Sequence, residues 1–181
     1  MSPAAHLIIG WLSTVELLQE RRERVLVALC GVAPDIDGLG IIVDKITGTT
    51  QFYFKYHHYF GHSIFAALIL ATFACVLAKM QKARVWLLAF VVVHLHILAD
   101  LAGSRGPDGY QWPVYYLYPL NRELGLAWKY QWELNAWQNM AVMILLLLLC
   151  LYYVSSKRIT FFEVFSKRLD REAVKMYEKY R

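Results

Sequence analysis

The sequence predicts an all-α integral membrane bundle of about five helices, followed by an amphipathic C-terminal helix. Three observations lead there. Hydrophobic side chains make up 58% and charged ones 18% of the 181 residues, an excess that a small water-soluble domain has no core large enough to hide. Three apolar stretches approach the ~20 residues a helix needs to cross a bilayer. The Lys and Arg behind the formal charge of +5 gather in short clusters between apolar runs and near the end of the chain, as topology-setting charge does. That placement argues against a nucleic-acid partner and for the lipid bilayer. The length suits one domain, with a membrane-embedded part, 1–155, and a basic cytoplasmic tail, 156–181.

Taken in order, residues 4–18 and 25–33 read as two short apolar helices that span only in part, joined by a charged turn running from Gln19 to Arg24. Residues 59–80, 85–102 and 136–154 read as full membrane helices. Lys79, Lys82 and Arg84 lie between the first two of these, and Lys157 and Arg158 follow the last. The positive-inside rule therefore places both regions, with Arg21, Arg22 and Arg24, in the cytoplasm. The N-terminus and the loops 38–56 and 103–135 then face outward. The second loop carries Trp112, Tyr115, Tyr116, Tyr118, Trp128, Tyr130 and Trp132, amphipathic aromatics of the kind that sit at a membrane interface. In the tail, Phe162, Phe165, Leu169 and Val174 recur at roughly helical spacing among basic residues, which predicts a helix lying on the cytoplasmic leaflet. Cys30, Cys75 and Cys150 lack CxxC spacing and read as small hydrophobes. The first residues lack the basic n-region of a cleavable signal peptide.

Ionisable side chains are costly in hydrocarbon, so those at the helix rims need partners or a purpose. His6 opens the first helix; Asp35 and Asp37 close the second. His57, His58 and His62 open the third, and His96 with Asp100 sits near the end of the fourth. The topology above sends all of them to one, outward end. His96 lies roughly 18 Å from Arg84 and His62 roughly 26 Å from Lys79 by helical rise, which sets them in the outer half of the bilayer. His96 and Asp100, four apart, share a helix face and can meet one cation. His58 and His62 share that spacing, whereas His57 and His62 require the helix to begin between them. Mixed imidazole and carboxylate donors suit zinc, with manganese or iron as alternatives, better than calcium. With this many donors two ions are conceivable, bridged by Asp35 or Asp100. The bland readings are an interfacial His6, turn-forming Asp35 and Asp37, a hydrogen-bonded His96–Asp100 pair, and for His94, on the other face of its helix, an ordinary satisfied histidine.

The stretches Ala4-Ala5-His6, Pro34-Asp35-Ile36-Asp37, His57 through His62-Ser63 and His96-Ile97-Leu98-Ala99-Asp100 resemble, in order, the motifs of membrane-bound metal-dependent hydrolases that include a LexA-regulated member. The resemblance covers roughly residues 4–120. It aligns His57 and His62 with the family's two histidines in His-Arg-Gly-x-x-His-Ser and puts His58 at the Arg position, leaving open which of the adjacent pair is the ligand. The His-x3-Asp pair is similar, more distantly, to one in zinc-dependent phospholipase C. These likenesses imply hydrolysis of an ester or phosphoester, with a lipid or lipid-linked substrate suited to a site near the outer leaflet. The implied roles are metal binding by His6, Asp35, His57 or His58, His62, His96 and Asp100, with water activated as nucleophile. Asp37 is a further ligand, a group that orients a histidine, or a proton acceptor, and Arg105, in the loop just after Asp100, is either a clamp for a phosphate oxygen or a solvated loop arginine. The rivals are a metal transporter, which requires a polar path toward the cytoplasm, and a scaffold with a closed structural zinc.

Overall fold

The computed structural model describes residues 1–106 and 108–180; Pro107 in the second loop and Arg181 at the end of the tail lie outside the described residues. The chain is helical: α1 (Pro3–Leu12), α2 (Arg21–Val32), a 3-10 stretch (Ala33–Leu39), α3 (Gly40–Thr47), α4 (Phe52–Tyr56), α5 (Ile64–Leu77), α6 (Lys82–Gly103), α7 (Trp137–Lys157), a 3-10 turn (Phe161–Val164) and α8 (Lys167–Lys179). Helices α1, α2, α5, α6 and α7 form the five-helix bundle that the sequence predicts. The segments 21–47, 82–103 and 137–157 are each long and apolar enough to cross a membrane.

Small residues set the packing. Ala67, Ala71 and Ala74 of α5, with Ala78 at its C-cap, make a buried stripe against Val85, Ala89, Val92 and Val93 of α6, the close helix approach that membrane bundles use in place of a hydrophobic driving force. At Gly31 a Cβ would stand 2.8 Å from the His6 carbonyl oxygen and 3.0 Å from Val92 Cγ1, so α1, α2 and α6 meet at a point only glycine fits. Gly31→Ala is expected to cost about 1–3 kcal/mol as overpacking, read as a lower thermal midpoint in detergent. A second core joins Ala5, Ile8 and Trp11 of α1 to Leu146 and Cys150 of α7 and to Val164.

Four expectations are corrected. The stretch 19–24 is not a turn: α2 begins at Arg21, because Arg and Glu are good helix formers and two of the charges are satisfied in the interior. Arg24 pairs with Glu163, and Glu23 Oε1 accepts from the Lys79 and Met80 amides at 3.1 and 3.0 Å. Helix α5 does not begin at residue 59. Its N-cap is Ser63, whose hydroxyl accepts from the Ala66 amide, so 57–63 forms an irregular turn and α5 itself has 14 residues. The loop 38–56 contains α3 and α4, joined by Asp44, whose carboxylate accepts from the Phe52 and Tyr53 amides at 2.7 and 2.8 Å. The amphipathic helix of the tail begins at Lys167, after Phe162 and Phe165, and the residues before it pack inward: Thr160, Glu163 and Val164 are buried. Arg21 to Arg24, the α5–α6 turn and the end of α7 cluster at one end through Arg22 to the Leu77 carbonyl, Arg21 to the Glu163 carbonyl and Lys157 to Glu16. The histidines and aspartates gather elsewhere.

Candidate metal centre

Each candidate ligand reaches the site by a local device. His6 lies one turn into α1, whose start is fixed by the Ser2 cap and Pro3. Asp35 and Asp37 hang from the 3-10 stretch begun by Ala33-Pro34. His58 adopts a left-handed backbone, φ 70°, which swings its ring inward, and its carbonyl accepts from the Tyr115 amide at 3.1 Å. His96 and Asp100 come from one face of α6.

Two groups of donors result. His6, Asp35, His96 and Asp100 offer ligand atoms within 4.8 Å of one another, as do His58, His62 and Asp100. Asp100 belongs to both. Between the groups, His96 Nε2 lies 3.0 Å from His62 Nε2 and 3.1 Å from Asp100 Oδ2, and His62 Nε2 lies 3.3 Å from the same oxygen. The other ring nitrogens explain the significance. His96 Nδ1 faces the Gly31 carbonyl at 2.7 Å and must donate to it; His62 Nδ1 donates to Asp37 Oδ2 at 3.1 Å. With both rings neutral, two lone pairs and a carboxylate oxygen would meet at one point. Only a proton or a cation relieves that convergence, and donors ~2.0–2.1 Å from a tetrahedral zinc stand about 3.3 Å apart.

Burial works against protonation of His62, but hydrogen bonds to Asp100 and Asp37 outweigh it and raise its pKa to about 9, so that without a bound cation it is a proton that relieves the convergence. Burial, and then the charge of His62, push His58 well below the usual histidine range, keeping it neutral as a ligand requires. Burial and the negative charges of Asp35, Asp100 and Asp37 raise the Tyr53 hydroxyl. His6 Nδ1, His58 Nδ1 and Asp35 Oδ2 are buried without hydrogen-bond partners among the described residues. These unpartnered donor atoms, like the convergence at Asp100, fit a divalent cation. The Met1 ammonium also contacts Asp100.

His57 stands apart from both groups. Its Nδ1 binds Asp37 Oδ1 at 2.8 Å and its ring stacks on Tyr53, so the structure brings His58, the residue at the family's Arg position, to the donor cluster. Helix α5 starts after all three histidines rather than between them. Asp37 lies behind His57 and His62, holding both rings from their Nδ1 side. Asp37→Asn is expected to lower metal affinity about 10–100-fold while the bundle stays folded, checked by metal titration and circular dichroism. Asp35, Tyr53, His57, His58, Arg105 and Trp112 line a cavity of about 210 Å³ in front of the donors. Arg105 Nη2 pairs with Glu133 at 3.3 Å, while its Nε is buried without a partner among the described residues. His94, as expected, is satisfied: Nδ1 donates to the Phe90 carbonyl at 2.7 Å and Nε2 accepts from the Tyr116 hydroxyl at 2.9 Å.

Sequence reasoning missed Gln131. It is 1% exposed, donates to the Asp100 carbonyl at 2.9 Å and accepts from the Trp112 amide at 3.1 Å, fastening the aromatic loop over the site. No local pattern marks it. Trp112, read from sequence as an interfacial aromatic, instead packs its ring 5.5 Å from that of His57 and 5.8 Å from that of His58.

Fold and site together define a helical membrane protein with a buried, carboxylate-bridged cluster of histidines beneath an aromatic loop. The chain belongs to the YdjM inner membrane protein family, whose model matches residues 1–164. The match extends beyond the last bundle helix to the buried Val164. No curated protein and no solved structure matches the chain.

Proposed function

We propose that this protein is a metal-dependent hydrolase of the membrane, cleaving an ester or phosphoester of a lipid or lipid-linked substrate. The observation that carries the reading is the convergence of His62, His96 and Asp100 on one point, beside a cavity that also holds an arginine with an unpartnered Nε. Zinc fits the donor set best, with manganese and iron as alternatives, and Asp100 is placed to serve two ions. His6, Asp35 and His96 would hold one and His58 and His62 the other, from the distances above. A divalent ion so held supplies Lewis acidity and brings the pKa of a water toward ~7.

The chain's own residues do the rest. Gly31 and Asp37 fix the tautomers of His96 and His62, so that each presents Nε2. Arg105 faces the cavity and offers a guanidinium to a phosphoryl oxygen, with Glu133 holding it meanwhile. Tyr53 and Trp112 wall the cavity against bulk water. Asp37 is a positioning residue, since its oxygens are occupied by two imidazoles. The resemblance to membrane-bound metal-dependent hydrolases and to zinc-dependent phospholipase C supports the same chemistry. Transport is disfavoured because the polar cluster gives way, toward the other end of α5 and α6, to Ala67, Ala71, Ala74, Val85 and Ala89. Positive-inside charge puts the site on the outer side and the C-terminus in the cytoplasm.

The test pairs metal content with turnover. Detergent-purified protein is expected to carry a divalent ion that His96→Ala loses, and to release product from a phospholipid or lipid diphosphate until chelator is added. Bound metal with no product across a broad panel would favour a transporter or a structural site instead.

A further inference from the structure

A second hollow adjoins the metal centre. It has a volume of about 240 Å³ and lies between the 3-10 stretch and α5, lined by Pro34, Ile36, Phe60, Ala66, Ile69 and Leu70 among others. Among the described residues its only ionisable lining residue is Asp37, the carboxylate that holds His57 and His62. His57, which Asp37 holds, lines the polar cavity, so the His57–Asp37 pair forms a wall between the two although no described residue lines both. The wall is tight because Gly61 packs directly on the 3-10 stretch: a Cβ there would come 2.2 Å from the Pro34 carbonyl oxygen. From Phe60 and Gly61, in the turn before α5, the groove follows the helix to Leu70, about 9 Å along its axis from Ile64. It therefore runs from the site toward the bilayer interior. Ile36, Phe60 and Ile69 are 63%, 47% and 56% exposed, so the mouth of the groove is an apolar surface beside the apolar helix α5.

We propose that the groove binds the acyl chain of a phospholipid whose phosphate headgroup occupies the neighbouring polar cavity. The occupant follows from continuity. One side of the Asp37 wall carries the cation-seeking donors and Arg105, which suit a phosphate; the other is apolar, open to lipid and aligned with a lipid tail. The proposal rests on the reading above for its headgroup and not for the groove itself.

The experiment uses the full chain, metal-loaded, in phosphatidylcholine nanodiscs doped with a phosphatidic acid that carries a diazirine in its acyl chain. After irradiation, labels are expected on 33–37 and 60–70. A tenfold excess of unmodified phosphatidic acid is expected to reduce them about tenfold by mass action, while labels on exposed Leu145 and Leu148 of α7 persist. Ile69→Trp fills the groove from an exposed position; it is expected to abolish the competable labels and leave metal content unchanged. Groove labels as resistant to competition as those on α7 would overturn the proposal, as would unlabelled groove residues that crosslink instead to a second copy. Competable labels in a protein that turns over no phospholipid would sink the hydrolase reading and leave the groove standing. Turnover without groove labels would do the reverse.

Discussion

Asp100→Asn is expected to strip the protein of bound divalent metal, with affinity falling about 100-fold or more, because one carboxylate serves both donor groups. Asn keeps the shape and one acceptor but loses the charge. It presents a neutral oxygen, or an amide donor, to the lone pairs of His62 and His96. The comparison variants make the result specific. Asp35→Asn removes a donor from the group with His6 and His96, and His58→Ala removes one from the group with His62; each is expected to lose at most one ion per chain. Elemental analysis of purified protein distinguishes these outcomes, and unchanged stoichiometry in Asp100→Asn would refute the shared site. A linked effect checks it without chemistry. An ion bound only by the folded state adds about 2.7 kcal/mol at 100 times its dissociation constant, so zinc raises the thermal midpoint of the wild type and not of Asp100→Asn.

The second large effect lies at the opposite end of the bundle. Glu163 accepts from Arg24 Nε and Nη2, both at 2.7 Å, and from Trp11 Nε1 at 2.8 Å. Glu163→Ala leaves a buried guanidinium without its counter-charge and an indole N–H without an acceptor, and is expected to destabilise by about 3–5 kcal/mol. Metal binding at the far end should survive at temperatures where the variant stays folded. Replacing both charges, as Arg24→Met with Glu163→Leu, is expected to recover most of the loss, since the pair's desolvation is then removed with its attraction. A double variant as unstable as Glu163→Ala would mean that the pair supplies net stability rather than orientation.

Much of the bundle was legible in the sequence, and the reasons are physical. Helices α6 and α7 announce themselves because a bilayer demands long uninterrupted apolar runs. The donor residues were legible because ionisable groups at helix rims are expensive and conspicuous. What stayed hidden was set by distant partners. Tyr59 and Phe60 extend the apolar run of α5, so hydropathy alone masks the Ser63 cap that starts the helix later. Arg24 looks like a turn charge until Glu163, 139 positions away, is seen to neutralise it. His57 and His58 are indistinguishable by type, and a single left-handed backbone decides which ring turns inward. Gln131 has no signature, because its value lies in reaching both Asp100 and Trp112.

The late start of α5 has a further consequence for the lipid around it. Fourteen helical residues rise about 21 Å, some 9 Å short of a hydrocarbon layer ~30 Å thick, whereas the neighbouring α6 is long enough to cross it. The shortfall can fall at the end where the irregular turn sits, and a bilayer meets such a mismatch by dimpling rather than by exposing peptide groups to oil. A dimple there brings the aqueous boundary down to the level of the histidine and aspartate cluster, so that water and lipid headgroups reach the donors without crossing hydrocarbon.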